Sequence, residues 1–396
     1  MKLVFVNRFF FPDHSATSQM LSDAAFYLAD KGQDVHVVTS RSTYEGGDRL
    51  TAKDIVSRVT IHRIWTSDFG RGSLVGRSVD YMTFYLGVFL ALLRLLGRGD
   101  VVIAKTDPPL LSVPVAMVAK IKGATLVNWL QDLFPEVALE LGVKVPSAVV
   151  SLLIRLRNWS LQRAKSNIVI SDAMRDRILK QGIARDSVVV VHNWANGELV
   201  KPFVGNNPLR ESWGLSASFV LGYSGNLGRA HEVETLLGTI RAFGKDSTVT
   251  FLFIGGGVRM RELQEKVESE AMTNCLFKPY QPRKNLSLSL GIPDVHLSIL
   301  KPEMEGLILP SKIYGIFAAG KPILYIGSIH AEVAGLIEKA GIGQAVNEGD
   351  VAALIAAIYN LKEGREKREL AGINARQLFE KQFDMPLALE KLAAVF

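Results

Sequence analysis

The chain has 396 residues, of which 48% are apolar and 21% charged, with a formal net charge of +7. That length predicts two domains rather than one core, and the composition excludes a disordered chain. The single cysteine, Cys275, excludes an intramolecular disulfide and suits a reducing, cytoplasmic compartment. The basic balance favours anionic partners, and since no zinc-finger spacing or aromatic RNA-binding signature occurs, phosphates and a membrane surface are expected rather than nucleic acid.

The N-terminal run Met1 to Arg8 lacks the apolar core of a secretory signal and reads as a first β-strand. Ser18 to Lys31 follows as a helix stopped by Gly32, and Val35 to Thr39 as a second strand. Tyr81 to Leu93 is uncharged and mostly apolar, but is shorter than the ~20 residues of a membrane span. It is expected as a buried or interfacial helix. Val101–Ala104, Thr125–Asn128, Asn167–Ile170 and Val188–Val191 are further strands. Such β-branched runs, separated by helices, predict a parallel sheet covered on both faces. The Pro-, Gly- and Asn-rich stretch 196–218 reads as an interdomain connection. A second α/β series then begins, with strands at Phe219–Tyr223, Val249–Ile254, Cys275–Lys278, Val295–Leu300 and Ile323–Ile326, and a last helical segment from about Arg365. The expectation is α/β throughout: two doubly wound, Rossmann-like lobes facing across a cleft, with residues 1–200 in the first, 201–375 in the second, and a C-terminal helix over 376–396 packing back on the first.

Five segments carry candidate chemistry. Phe11-Pro12-Asp13-His14-Ser15-Ala16-Thr17-Ser18 is a strand-to-helix turn, which suits an anion at the helix start or an ordinary N-cap. Gly222 to Glu232 contains Gly225, Asn226, Gly228 and Arg229; it is neither a GxGxxG fingerprint nor a P-loop, but a Gly-rich turn whose arginine either meets a diphosphate or is simply solvated. Gly255-Gly256-Gly257 ends a strand, which suggests close approach to the backbone or a flexible loop. Asn128 to Glu136 sets Gln131, Asp132 and Glu136 beside aromatics, as a sugar site or as helix-cap and surface charges. Glu305 to Pro322 places Ser311 and Lys312 behind Pro310 at a helix start, where hydroxyl, ammonium and helix N–H groups suit a phosphate; Glu305 suits sugar hydroxyls.

At these five places the sequence resembles family 4 of the glycosyltransferases, in the branch that builds bacterial colanic acid, O-antigen and capsule. The Gln-Asp-Leu-Phe-Pro-Glu segment, the Gly-Asn-Leu-Gly-Arg turn and the Pro-Ser-Lys block ending in Ala-Ala-Gly-Lys-Pro carry the resemblance. It implies a GT-B fold and retaining transfer from a nucleotide sugar, UDP before GDP. Arg229 and Lys312 would neutralise the donor diphosphate, helped by Ser311, while Glu305 and the backbone of Gly306 and Leu307 would hold the sugar. Gly225, Asn226 and Gly256 would lie against the donor, Ser15, Ala16 and Thr17 would approach the phosphates from the first lobe, and Asp132, Gln131 and Glu136 would line the acceptor side. The resemblance implies metal independence and no cofactor. No Asp-x-Asp motif appears, and His192 and His231 lack ligand spacing. Two departures stand out: Ser15 and Ala16 replace the family's Gly-Gly pair, and Gly315 replaces its ribose-binding glutamate.

The apolar stretch 81–96 and the segment 147–165, where Val149, Leu152, Leu153, Leu156 and Trp159 form one stripe flanked by Arg155 and Arg157, suit a lipid interface or, in the second case, a helix packed on its own lobe with exposed arginines; together with the resemblance to the polysaccharide branch they imply a polyprenyl-diphosphate-linked acceptor at the inner face of the membrane. The alternatives are a sugar-nucleotide epimerase and a non-catalytic nucleotide-sugar-binding subunit.

Overall fold

The computed structural model describes every residue except 14, 45, 47, 48, 71–73, 204, 245 and 247, together with the side chain of residue 74. The chain divides into two compact units. The first comprises Met1–His192, Gly306–Ile308 and Leu389–Phe396; the second comprises Asn193–Glu305 and Leu309–Ala388.

The first unit runs β1 (Lys2–Val6), α1 (Ala16–Asp30), β2 (Asp34–Ser40), β3 (Lys53–Val56), β4 (Val59–Ile64), α2 (Leu74–Leu95), β5 (Val101–Lys105), α3 (Ser112–Lys122), β6 (Thr125–Trp129), α4 (Glu136–Glu140), α5 (Ser147–Arg163), β7 (Ser166–Val169), α6 (Asp172–Leu179) and β8 (Val188–Val190). Its eight-stranded sheet has the order β3-β4-β2-β1-β5-β6-β7-β8. All its neighbours are parallel except the β3–β4 edge hairpin, which the sequence reading did not foresee. Val4, Val6, Val38, Val102 and Leu126 of the sheet share one core with Phe84, Val88 and Leu92 of α2 and Val115 and Ala119 of α3. The chain order reverses between β1 and β5, so the loops leaving those strands flank the crevice where an open parallel sheet accepts ligands.

The second unit continues with α7 (Pro208–Ser212), β9 (Phe219–Asn226), α8 (Glu234–Ala242), β10 (Val249–Gly256), α9 (Val258–Ser269), β11 (Cys275–Lys278), α10 (Leu286–Gly291), β12 (Val295–Ile299), α11 (Lys312–Ala318), β13 (Ile323–Ile326), α12 (Glu332–Ala340), β14 (Gly343–Val346), α13 (Val351–Glu363), α14 (Arg365–Gln382) and α15 (Met385–Ala393), the last passing into the first unit at Leu389. The six strands are ordered β11-β10-β9-β12-β13-β14, all parallel, with the reversal between β9 and β12. Leu221, Tyr223, Phe251, Phe253, Leu297 and Leu324 pack with Leu236, Ile240 and Leu354 in one core.

Three local expectations are corrected. The stretch 196–218 is folded into the second unit and contains α7, capped by Asn207 and pinned by the Arg210–Asp294 ion pair at 2.9 Å. The C-terminal segment is two helices, broken at Phe383 and Asp384, where Asp384 makes a bridge with Ala195 and accepts a hydrogen bond from Gly197 N–H at 3.0 Å. In α5, Arg157 is not an exposed flank of the apolar stripe: it is 4% exposed and bonds Glu136 at 2.6 Å and the Phe134 carbonyl at 3.1 Å.

Candidate active site

The second unit builds a cationic centre at its strand reversal. Lys312 opens α11 after β12, and its ammonium reaches back to β9. It donates a hydrogen bond to Tyr223 Oη and lies 3.7 Å from the centroid of that ring. Tyr223 is fully buried and passes its own proton to the Asn226 carbonyl at 2.9 Å, which ties the lysine to the exit of β9. No carboxylate lies within ion-pair reach of Lys312 among the described residues, so the charge has no counter-ion of its own. Burial pushes the ammonium down to about 7, because removing water disfavours the charged form. The His231 ring stands at right angles to Tyr223, 6.1 Å away, and Nδ1 accepts from Gly228 N–H at 3.1 Å. Burial, and then the Lys312 charge, lower its pKa to about 4, so this imidazole is neutral at pH 7.

The glycines of this region divide by role. Gly225 has φ of 125°, and a Cβ there would meet only the end of Lys312, at 3.9 Å, so the space before it is open. Gly255 and Gly257 are needed for packing: a Cβ would come within 2.3 Å of the Gly225 carbonyl oxygen and 2.4 Å of the Leu227 carbonyl oxygen respectively. What passes close to these two is the neighbouring β9 loop. Gly256 faces the Tyr280 ring, 3.4 Å from the Cβ it lacks.

The other expected donor residues fall as follows. Asn226, the last residue of β9, and Arg229, on the β9–α8 loop, are exposed, and Arg229 makes no ion pair among the described residues. Ser311 is exposed and its hydroxyl caps no helix N–H. Glu305 has one carboxylate oxygen occupied by the Glu332 N–H at 2.9 Å, where it caps α12. Gly315 looks onto Leu290 Cδ1, 3.3 Å from an added Cβ, an apolar surrounding that offers no substitute for the family's glutamate at that point.

The first unit supplies its own polar group at the matching end of its sheet. Lys105 ends β5, directly beside Trp129 of β6. It is 1% exposed, its Nζ has no hydrogen-bond partner, and it lies 3.6 Å from the Trp129 ring centroid. Asp132 follows three residues later. Its edge is open to solvent, yet the surrounding protein thins the water and pushes its carboxyl up to about 6, an effect that the Lys105 charge opposes. Burial in turn lowers Lys105 to about 7, against the pull of Asp132 and Asp107. The two form a coupled acid–base couple. Sequence reading missed Lys105 because a lysine at a strand end ordinarily reads as exposed.

Gln131 is buried beside this couple, its backbone N–H donating to Thr106 Oγ1 at 3.3 Å. Glu136, expected on the acceptor side, is instead a structural partner: besides Arg157 it accepts from Gln181 Nε2 at 3.0 Å. Ser15 and Ala16 stand at the start of α1, with Thr17 in its first turn; Ser15 donates its N–H to Asp13 Oδ1 at 2.7 Å, and its hydroxyl is buried with no partner. That helix start has no side-chain cap and no acidic residue in its first turn, which leaves its N–H groups for an anion. His14 of the same loop lies outside the described residues. Gly306 and Leu307 belong to the first unit; Gly306 has φ of 70°, and the Leu307 carbonyl accepts from Leu133 N–H at 3.0 Å.

Each doubly wound unit holds a buried lysine at its strand ends, coupled to Asp132 in the first and without a counter-ion among the described residues in the second, where the arrangement suits a phosphate-bearing ligand. Comparison with known proteins narrows the chemistry. Residues 17–194 match the model of the glycosyl transferase 4-like domain. The chain is 29% identical over 75% of its length, and 74% of the relative's, to WbjE of Pseudomonas aeruginosa, described as a glycosyltransferase. It is 23% identical over 90% of its length, and 91% of the relative's, to WcaI of Escherichia coli strain K12, a glycosyl transferase assigned to colanic acid biosynthesis. Among solved structures, HepE of Anabaena in complex with UDP superposes with a TM-score of 0.74 at 16% identity, covering 100% of this chain and 99% of that one. The chain is a glycosyltransferase of the GT-B fold, and its sequence is similar to those of bacterial glycosyltransferases, one of them assigned to colanic acid biosynthesis.

Proposed function

We propose that this glycosyltransferase retains anomeric configuration and moves a hexosyl or N-acetylhexosaminyl group from a UDP-sugar to a polyprenyl-diphosphate-linked saccharide, in the cytoplasm at the inner face of the membrane. The observation that carries the donor reading is Lys312, a desolvated cation without a counter-ion at the strand reversal of the second sheet. A diphosphate is the group whose charge it lacks, and HepE, of the same fold, is described in complex with UDP and with UDP-glucose. Retention and the lipid-linked acceptor rest on the likeness to family 4 and to its polysaccharide branch.

In this reaction the bond from the sugar C1 to the diphosphate oxygen breaks as a bond from C1 to the acceptor oxygen forms on the same face. The acceptor proton passes to the departing phosphate. Lys312 and the exposed Arg229 stabilise the charge that grows on the leaving diphosphate, the task a fixed cation performs best in a water-poor site. They take the place of a metal ion, so the activity survives chelation. Asp132, as a carboxylate, orients the acceptor hydroxyl and opposes the positive charge developing at C1. Glu305, with one oxygen outside its helix-cap bond, holds a sugar hydroxyl.

The test is calorimetric titration with UDP and with GDP, repeated with Lys312→Met. Tight binding of UDP that the variant loses supports the reading, whereas binding of neither nucleotide contradicts it. Incubating UDP-sugars without acceptor separates the epimerase alternative, since formation of an epimer would replace transfer as the activity.

A further inference from the structure

Packing within the first unit leaves the outer face of α2, α3 and α5 unexplained. A helix laid on a sheet needs one apolar face. Phe84, Val88 and Leu92 supply it for α2, fully buried against the sheet. The same helix carries a second apolar stripe: Val75, Val79, Met82, Leu86 and Leu90 recur every three or four residues and are between 39% and 76% exposed. Helix α3 packs on α2 and adds exposed Met117 and Ile121; α5 packs on α3 and adds exposed Val149, Leu152 and Leu156. These three helices form one layer on one side of the sheet and carry ten of the twenty-one exposed large hydrophobic residues among the described residues.

The charges of this layer select its partner. Arg77, Arg94, Lys120, Lys122, Arg155 and Arg163 are its basic residues outside the Arg157–Glu136 pair, and its sole carboxylate, Asp80, is 1% exposed. An apolar stripe rimmed by lysine and arginine without acid is the composition of a helix lying in a lipid interface. A second copy of this chain docking by the same face would bring like charges together. Helix α2 is long and apolar enough to cross a membrane, but leaving the sheet would expose Phe84, Val88 and Leu92, so it lies along the surface instead.

We propose that the α2–α3–α5 face docks on an anionic lipid bilayer, with the Leu86–Leu90 stripe at the acyl boundary and the lysines and arginines at the level of the lipid phosphates. The proposal rests on the lipid-linked acceptor reading above only for its purpose; vesicle binding is measured without donor or acceptor, so either can fail alone. The experiment is co-sedimentation of the full chain with phosphatidylethanolamine–phosphatidylglycerol vesicles and with phosphatidylcholine vesicles. Binding to the anionic vesicles is expected to be tighter by about tenfold or more and to weaken with salt. Leu86→Ser with Leu90→Ser, which leaves the buried stripe intact, is expected to weaken it at least about tenfold with an unchanged thermal melt. Lys120→Gln with Arg155→Gln is expected to remove most of the preference for anionic lipid. No vesicle binding by the wild type, or binding that the folded leucine variant retains in full, would overturn the proposal. So would dimerisation in sedimentation velocity that the leucine variant abolishes while vesicles are ignored.

Discussion

If Lys312 meets the donor diphosphate, nucleotide binding must take up a proton. In the free protein burial holds the ammonium at about 7. Phosphate oxygens within a few ångströms favour its charged form and raise its pKa by about two units, to roughly 9. At pH 8 about nine-tenths of the free lysines are then neutral and about nine-tenths of the bound ones charged, so each UDP bound draws in about 0.8 proton. The sign follows from the lowered pKa of the free state: affinity falls as pH rises through 7, by about 25-fold between pH 7 and pH 9. At pH 8 the nucleotide is fully ionised, its last phosphate pKa being about 6, and it contributes no proton of its own. His231, lowered to about 4, and Tyr223, raised well above its usual value, do not titrate in this window. The assay is calorimetry at pH 8 in buffers of different ionisation enthalpy, whose slope gives the protons exchanged. Lys312→Met should bring the slope near zero and weaken UDP about 10- to 100-fold at pH 7, the worth of a charge-assisted contact. UDP binding with no proton uptake, or a variant with unchanged affinity, would refute the reasoning.

Three other perturbations test separate parts of the structure. Because Asp132 acts as a carboxylate with a pKa of about 6, the transfer rate should fall as pH drops through 6; Asp132→Asn should flatten that limb and spare UDP binding, and Lys105→Met should move it upward by about one unit. Gly255→Ala, which sets a Cβ 2.3 Å from the Gly225 carbonyl oxygen at φ of 134°, should cost about 2–5 kcal/mol in urea unfolding; a smaller loss would mean that the β9–β10 loops give way. Arg157→Met leaves the Glu136 carboxylate without its cation and should cost about 2–4 kcal/mol in the same assay, an unchanged midpoint being inconsistent with the network described.

The doubly wound architecture was legible because buried parallel strands write themselves as uninterrupted apolar runs rich in valine and isoleucine, as in Val101–Ala104. The β3–β4 hairpin was not, since its turn uses Ser57 and Arg58, both at positive φ, in place of the Asn-Gly or Asp-Gly that announces such a turn. At the candidate site the motifs point to Lys312 and Asp132 but not to their companions. Tyr223 reads as one more core aromatic of β9, and His231 was considered only as a metal ligand; what joins them to Lys312 is the parallel arrangement of β9 and β12, which no local pattern encodes. Glu136 reads as an acceptor-side or surface carboxylate and Arg157 as a flank of an interfacial stripe for a similar reason: twenty-one residues separate them, and only the fold brings them together. The glycine run 255–257 reads as a close approach or a flexible loop; at 255 and 257 the group that comes close is the neighbouring β9 backbone.

The measurement that tests the account most directly is proton NMR of the product formed from a UDP-sugar and a polyprenyl-diphosphate-linked acceptor, read at the new anomeric centre, with Lys312→Met run alongside. The account predicts a glycoside with the anomeric configuration of the donor, formed by the wild type and at least a hundredfold more slowly by the variant. An inverted product, or equal rates from the two proteins, would contradict it.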